Sequence, residues 1–432
     1  MKSDFAQSER GKPEEDWSPV RLGDVVDLLT GFPFKSEHYV EDSNAPRLLR
    51  GDNVAQGTLR WDGAKRLPMS AVKDVVDYSL REGDVILAMD RPWIDAGLKY
   101  ASVRSSDLPS LLVQRVARLR GRDRLDTRFL KYVIASKAFT NYILSVQTGT
   151  AVPHISADQI KSFEFLLPSL QEQRVIADIL GALDDKTDLN NRINKTLEAI
   201  GRAIFKHWLI DFEFPNDEGK PYKSSGGKMV YNEEFGQDIP KAWKAKPIDE
   251  IADFLNGLAL QNYPPKGKEK LPVIKIRELR QGISESTDNA SSNLPKQYIV
   301  DNGDILFSWS GSLEVVIWTS GVGALNQHLF KVTSKDYPKW FYYHWILQHL
   351  PEYRRIAEGK ATTMGHIQRH HLKNSLVLVP DQATLQTMDR IQSPIIEKLI
   401  WIGLESRSLS QLRDMLLPKL MSGKIRAPVE VR

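Results

Sequence analysis

Three histidines, His366, His370 and His371, form the one histidine cluster in this 432-residue sequence. On a helix, His366 and His370 would share one face at i, i+4 spacing and could bind zinc. An earlier, related stretch of the chain has Asp158 and Gln159 where His370 and His371 stand, so the cluster is not repeated and no metal site is expected. His154 and His366 do correspond, and each follows a polar loop, TGTAVP in one case and GKATTMG in the other. Two readings stand for this pair: a turn histidine satisfied by backbone, or a loop facing a ligand.

Other catalytic chemistry is missing. No Gly-Lys pair is followed by Ser or Thr, so there is no phosphate-cradling P-loop. The G-x-G candidates are Gly321-Val-Gly323 and the near-miss at Thr148-Gly-Thr150, and neither leads from a strand into a well-capped helix. The tetrapeptide of amino-methyltransferases has only a remote counterpart in Tyr263-Pro-Pro-Lys266, and His-Glu-x-x-His does not occur. With no cysteine, disulfides, Cys-rich zinc sites, iron–sulfur clusters and thiol nucleophiles are excluded. No catalytic residues are assigned and no cofactor is expected in this chain.

The elements that carry these residues repeat. Segment 17–31 (WSPVRLGDVVDLLTG) matches 243–257 (WKAKPIDEIADFLNG) at an offset of 226. Further on, 82–87 (EGDVIL) matches 302–307 (NGDILF), and 112–116 (LVQRV) matches 325–329 (LNQHL). The offset then settles at 212, pairing Phe129 with Phe341, His154 with His366, Lys161 with Lys373 and Pro168 with Pro380. Loops therefore shrink in the second copy while its framework is kept. Each copy opens with β-like runs (84–89, 111–119 and 163–167 in the first) around a helical stretch near 127–146 or 339–357, an α+β pattern.

Each copy closes with a long helix. The first seam runs Ile176, Ile179, Leu183, Lys186, Asn190, Ile193, Leu197, Ile200 and Ile204. The second runs Met388, Ile391, Ile395, Lys398, Ile402, Glu405, Leu409, Leu412 and Leu416. Threes and fours held over four heptads specify a coiled coil, and polar seam residues fix its register. About 36 helical residues reach about 54 Å. A seam of that length needs a partner, and antiparallel pairing with the other copy's helix would relate the domains by a pseudo-two-fold axis. Pro394 should kink the second helix or delay its start. The expected order is a flexible tail 1–16, a domain 17–168, a helix 169–214, a polar linker 215–242, a domain 243–380, a helix 381–424 and a tail 425–432.

A formal charge of +4 with 41% apolar residues permits a polyanionic partner and fills ordinary cores. The first 16 residues lack the apolar core of a signal peptide, and no apolar run approaches the roughly 18 residues of a membrane span. A soluble, cytoplasmic protein is expected.

Duplicated α+β domains, Gly-Asp-(Val/Ile)-(Ile/Leu) strands, Pro-His-Ile and Gly-His-Ile segments, and a helix opening on 167–173 (LPSLQEQ) together resemble one family. It is the DNA-specificity (S) subunit of type I restriction–modification systems. The resemblance covers about 17–425, and 381–385 (DQATL) departs from the usual helix opening. It implies two target-recognition domains, each reading half of a bipartite double-stranded DNA site. The helices would act as a ruler and dock two methyltransferase subunits, with restriction and motor subunits joining later. S-adenosylmethionine, ATP and Mg would then belong to those partners.

Phosphate contacts need exposed Lys, Arg and hydroxyls, and base reading needs Arg, Gln, Asn or Ser at a groove. On that basis the first copy offers Lys35, Arg47, Arg50, Arg91, Lys99, Thr148, Thr150 and His154. The second offers Gln261, Lys266, Lys268, Lys275, Arg277, Ser310, Ser312, Lys360, Thr362, Thr363 and His366. Trp93 and Trp309, which follow the Gly-Asp strands, are expected in the core. Two rivals are a DNA-modifying enzyme with unrecognised motifs and a coiled-coil scaffold that binds DNA non-specifically.

Overall fold

The computed structural model describes residues 17–149, 151–359 and 365–428. These form two compact units, one from the residues up to Asp185 together with those from Ser410 onward, the other from Lys186–Leu409. The same framework appears in both. In the first, the strands Val26–Thr30, Val116–Gly121, Val85–Ala88 and Tyr100–Ser102 lie side by side, with Gln56–Gly57 at the edge. In the second, Asp253–Asn256, Leu329–Thr333, Ile305–Ser308 and Val315–Ile317 follow the same order. A two-stranded antiparallel pair stands beside each sheet: Ser18–Arg21 with Glu164–Leu167, and Lys244–Pro247 with Leu376–Val379.

The repeated motifs are explained by backbone demands. Gly83 and Gly303 both have φ of +86°, a left-handed turn that favours glycine. The aspartate after each glycine closes that turn. Asp84 accepts from the Arg81 amide and Asp304 from the Asp301 amide, both at 2.8 Å. Each also pairs with a cation on the neighbouring strand, Arg120 or Lys331. Gly31 and Gly257 are fixed by close approach. A Cβ there would lie 2.1 Å from the Val113 carbonyl oxygen or 2.2 Å from that of Asn326.

The helical stretch of the first copy is two helices, Thr127–Ala135 and Lys137–Val146, because Ser136 caps the second by accepting from the Phe139 amide. In the second copy Lys339–Glu358 is continuous. Among the described residues no helix is long and apolar enough to cross a membrane.

The long helices are Leu170–Phe205 and Gln382–Met421. Pro394 does not delay the second: the helix starts at Gln382, where Asp381 accepts from the Thr384 amide at 3.0 Å. Pro394 and Arg390 are both exposed, so water can satisfy the carbonyl that loses its donor. The helices pair antiparallel. In the second unit Gln392 donates to the Gly201 carbonyl at 2.9 Å, and Asn190 donates to Glu405 at 2.7 Å. Lys186 lies 3.2 Å from the same carboxylate, which these two partners hold below its ordinary range. In the first unit Asp184 takes Arg413 at 3.3 Å, Lys131 at 2.5 Å and Tyr132 at 3.0 Å.

The seam differs in phase from the one read from spacing. Ile176, Met388 and Ile402 are buried, and Ile179, Leu183, Ile193, Leu197, Ile204, Ile395, Leu409 and Leu416 are half-buried. Ile200, Ile391 and Leu412 are 43%, 44% and 41% exposed and are not seam residues. Leu180, Gly201, Leu385, Gln392, Ile396 and Leu399 are buried in the helices instead. Glycine at 201 lets the backbones approach, and the amide of Gln392 fills the position facing it, so an apolar count skips both. Lys398 also leaves the seam, its ammonium standing 3.8 Å above the Trp401 ring.

Each helix ends in a unit other than the one it began in, and docks beneath a tryptophan. Glu172, 2% exposed, accepts from Trp17 Nε1 at 3.0 Å and from two nitrogens of Arg426 at 2.7 and 2.9 Å. Its neighbour Gln173 is fully buried and satisfied, donating to the Arg124 and Pro168 carbonyls and accepting from the Asp126 amide. The second copy solves the same junction with aromatics. Phe214, the counterpart of Arg426, stacks on Trp243 at 5.0 Å, and Thr384 replaces Glu172.

Segment 215–242 is not a loose linker. Phe214 stacks on Tyr222 at 4.6 Å, and Met229–Asn232 pairs with Gln237–Pro240. Tyr222, Met229 and Phe235 pack on the second unit's core. Polar composition concealed these apolar anchors.

Two outcomes follow. Glu172→Thr should cost about 1–3 kcal/mol in urea unfolding, because the buried Trp17 indole N–H loses its acceptor and the charge-assisted bonds from Arg426 are lost. Adding Arg426→Phe copies the second junction and should recover at least half of the loss. Costs that simply add would refute the equivalence. His344 in the second unit is buried against Phe205, and burial, aided by Arg202, pushes its imidazole down to about 3. The unfolded chain therefore takes up this proton first. Stability is full above about pH 6.5 and should fall by about 1.4 kcal/mol per unit as pH drops from there toward about 3. A His344→Leu chain should have a flatter stability profile from pH 6.5 to 4, and an unchanged slope would contradict this.

Candidate nucleic-acid interface

The apolar run at 111–119 is not one strand. Ser110–Leu112 pairs in parallel with Arg47–Leu49, whereas Val116–Gly121 runs antiparallel to Val85–Ala88. Between them Arg115 takes a left-handed φ of +64° and turns the chain. The turn brings Gln114 and Arg115 into the lining of a cleft of about 420 Å³, with Arg50, Asp52, Asp90, Arg91 and Lys99.

Asp90 organises this cleft. One carboxylate oxygen lies 2.6 Å from Arg115, the other 2.6 Å from His154 Nδ1. Burial opposes its charge, but the bonds to Arg115 and His154 outweigh burial and hold the carboxyl below its ordinary range. The backbone is fixed as firmly: the Ile155 amide donates to Met89, the Arg91 amide to Pro153, and Thr148 and His154 exchange amide–carbonyl bonds. Arg91 sits at φ +44°. Burial lowers the Lys99 ammonium; Asp52 opposes this and Arg91 adds to it.

The second unit places polar residues at the same three positions. Ser310 stands for Asp90, His328 for Arg115 and His366 for His154. Ser310 and His366 form a backbone bridge as Asp90 and His154 do. The Ser310 hydroxyl lies 3.0 Å from His328 Nδ1, and Trp309 packs near both histidines at 5.7 and 6.3 Å. The Ser–His contact is not that of an activated nucleophile. Ser310 is 3% exposed, and the other ring nitrogen faces Gln327 at 3.3 Å instead of a carboxylate. Gly311 takes the left-handed position of Arg91, at φ +64°.

Of the residues expected from sequence, Arg50, Arg91 and Lys99 share one cleft, and His154 joins it through Asp90. Thr148 is exposed on the adjoining bridge, and Lys35 is exposed, 3.7 Å from Glu37. Arg47 is committed to the fold, bonding the Ser106 and Leu108 carbonyls and lying 4.4 Å over Trp61. Arg277 likewise binds the buried Glu278 and the Ser286 carbonyl, and Lys275 pairs with Asp288. Gln261, Lys266, Lys268 and Ser312 are exposed, while Ser310 is buried. Thr150, Lys360, Thr362 and Thr363 lie outside the described residues. Expected in the core, Trp309 is only half-buried and packs against it, and Trp93 is 37% exposed.

Gln114, Arg115 and His328 were missed because they sit inside what reads as a strand; the L-x-Q-(Arg/His) repeat was the available signal. His366 lies on a bridge outside the short helix Arg369–Asn374, so the i, i+4 face with His370 does not form. Among the described residues no group of three metal-ligating side chains is present.

Arg91 holds a conformation that the other copy gives to glycine. Arg91→Gly should therefore stabilise the first unit by about 0.5–1 kcal/mol, after glycine's own entropic cost. Destabilisation in thermal or urea unfolding would mean that the Arg91 side chain supports the fold.

The sequence matches the family described as type I restriction modification DNA specificity domain over residues 14–199 and 240–406. It is 25% identical to the type I restriction enzyme MjaIX specificity subunit of Methanocaldococcus jannaschii, covering 98% of this chain and 97% of that one. It is 23% identical to the HindI specificity subunit of Haemophilus influenzae, over 95% and 100% of the two chains. The fold is similar to that of the type I restriction-modification S subunit from M. genitalium, with a TM-score of 0.57 at 14% identity over 95% and 98% of the two chains. The chain therefore belongs to the type I restriction–modification DNA-specificity family.

Proposed function

We propose that this chain is the non-catalytic specificity subunit of a type I restriction–modification complex. Residues 17–168 and 243–380 each read one half of a bipartite duplex site. One observation carries the reading: a single framework occurs twice, and its polar cluster differs between copies, Asp90–Arg115–His154 in one and Ser310–His328–His366 in the other. Shared scaffolding with divergent hydrogen-bonding groups suits two readers of different sequence.

The paired helices set the spacer between half-sites and dock two methyltransferase subunits. Apolar residues left on the helices, among them Leu189 at 47%, Trp401 at 51% and Met415 at 57% exposure, support a docking role. Restriction and motor subunits complete the assembly, and S-adenosylmethionine, ATP and Mg act in those partners.

Selection of duplexes from a random library should yield a split consensus; an unsplit or absent one would favour a scaffold without sequence preference. A heptad inserted after Leu197 and another after Ile396 should then shift only the spacer. These positions lie between the Gly201–Gln392 and Asn190–Glu405 contacts, so the pairing on either side is kept. Seven residues add about 10 Å at 1.5 Å each, roughly three base pairs at 3.4 Å. An unchanged spacer optimum in a folded variant would assign the distance to something other than the helices.

A further inference from the structure

The first unit's cleft is bordered by a ribbon that has no counterpart in the second. Between Arg91 and Lys99, Trp93–Ile94 runs antiparallel to Gly97–Leu98, with Asp95 and Ala96 at the tip. The Lys99 amide donates to the Pro92 carbonyl at 2.7 Å, and Leu98, 5% exposed, anchors the returning strand in the core. The outgoing strand is not buried: Trp93 is 37% and Ile94 41% exposed. In the second unit the chain leaves Ile305–Ser308 through Gly311 and reaches Leu313, 2% exposed, before Val315–Ile317.

A large aromatic and a β-branched residue held half in water on the outgoing strand of a ribbon forgo hydrophobic stabilisation that a partner could restore. The cations at the base of the ribbon indicate which partner. Arg91 and Lys99 flank it, and Arg50 and Arg115 line the same cleft. The carboxylates nearby are Asp52 and Asp90 in the cleft and Asp95 on the ribbon's turn, against four cations, and Asp90 is already bound to Arg115 and His154. A duplex offers both complements: phosphates for the cations and a base step for the apolar pair on the outgoing strand. Arg91 keeps its left-handed backbone at the ribbon's start, where the ribbonless copy has Gly311.

We infer that the 93–98 ribbon is a wedge that enters a DNA groove within the first half-site and unstacks one base step, with Arg91 and Lys99 on the flanking phosphates. This rests on the reading that the first domain recognises one half-site. It makes the complex asymmetric: one half-site is deformed and the other is read without a wedge.

The test uses the full-length chain and a duplex it selects from a random library, with 2-aminopurine placed in turn at each position of both half-sites. Wild type should raise the fluorescence at one step of one half-site only. Trp93→Ala with Ile94→Ala should abolish that rise and weaken binding roughly tenfold to a hundredfold. The salt dependence should not change, since no phosphate contact is removed. Trp93→Phe should keep the signal. A chain that selects no split sequence overturns the half-site reading and this inference with it. A chain that selects one but leaves every step stacked overturns the inference alone. So does a double variant that binds DNA like wild type but loses association with a methyltransferase subunit, which would make the ribbon a protein interface.

Discussion

A buried carboxylate must be paired, and the fold of the first unit is arranged around that requirement at Glu172. Its two partners come from distant places, Trp17 at the first described residue and Arg426 near the last, and meet it at the start of a long helix. Gln173 fastens the same helix turn to the domain through three further bonds. The direction in which the helix leaves the domain is thereby fixed. The second junction shows that the requirement belongs to the side chains chosen and not to the fold. With Phe214 against Trp243 and Thr384 in place of Glu172, aromatic stacking replaces the ionic clamp.

The duplicated framework could be read from sequence because its motifs answer to local backbone rules. Gly-Asp turns, close-approach glycines and tryptophans at the start of each copy recur wherever the backbone needs them. Features set by tertiary contact were harder to read. Arg115 looked like one residue of a strand because apolar periodicity does not report a single left-handed residue. Arg47 and Arg277 looked like free cations because a sequence does not show which carbonyls or carboxylates stand nearby. The seam was misphased where Gly201 and Gln392 meet, since neither registers as apolar. The segment 215–242 looked like a linker because its few aromatic anchors are spread among polar residues.

The same division separates framework from recognition. The Gly-Asp motif, conspicuous in both copies, closes turns and pairs cations within each sheet. The groups that differ between copies stand just beyond those strands, on the bridges at Asp90–His154 and Ser310–His366. Residues there can change without disturbing a turn, because the backbone bonds of the bridge hold the loop whichever side chains it carries.

The first unit is discontinuous in sequence, whereas the second is one unbroken stretch, Lys186–Leu409. During synthesis the amino-terminal half leaves the ribosome first, yet it lacks the residues from Ser410 onward that complete its core, Leu420 and Ala427 among them. Closing that unit requires contacts across more than two hundred residues, such as the 254 that separate Glu172 from Arg426. The contiguous unit also closes over a long separation, 215 residues between Asn190 and Glu405, but its last residue precedes those that complete the first. The domain made first is thus the one finished last, its core waiting on Leu420 and Ala427.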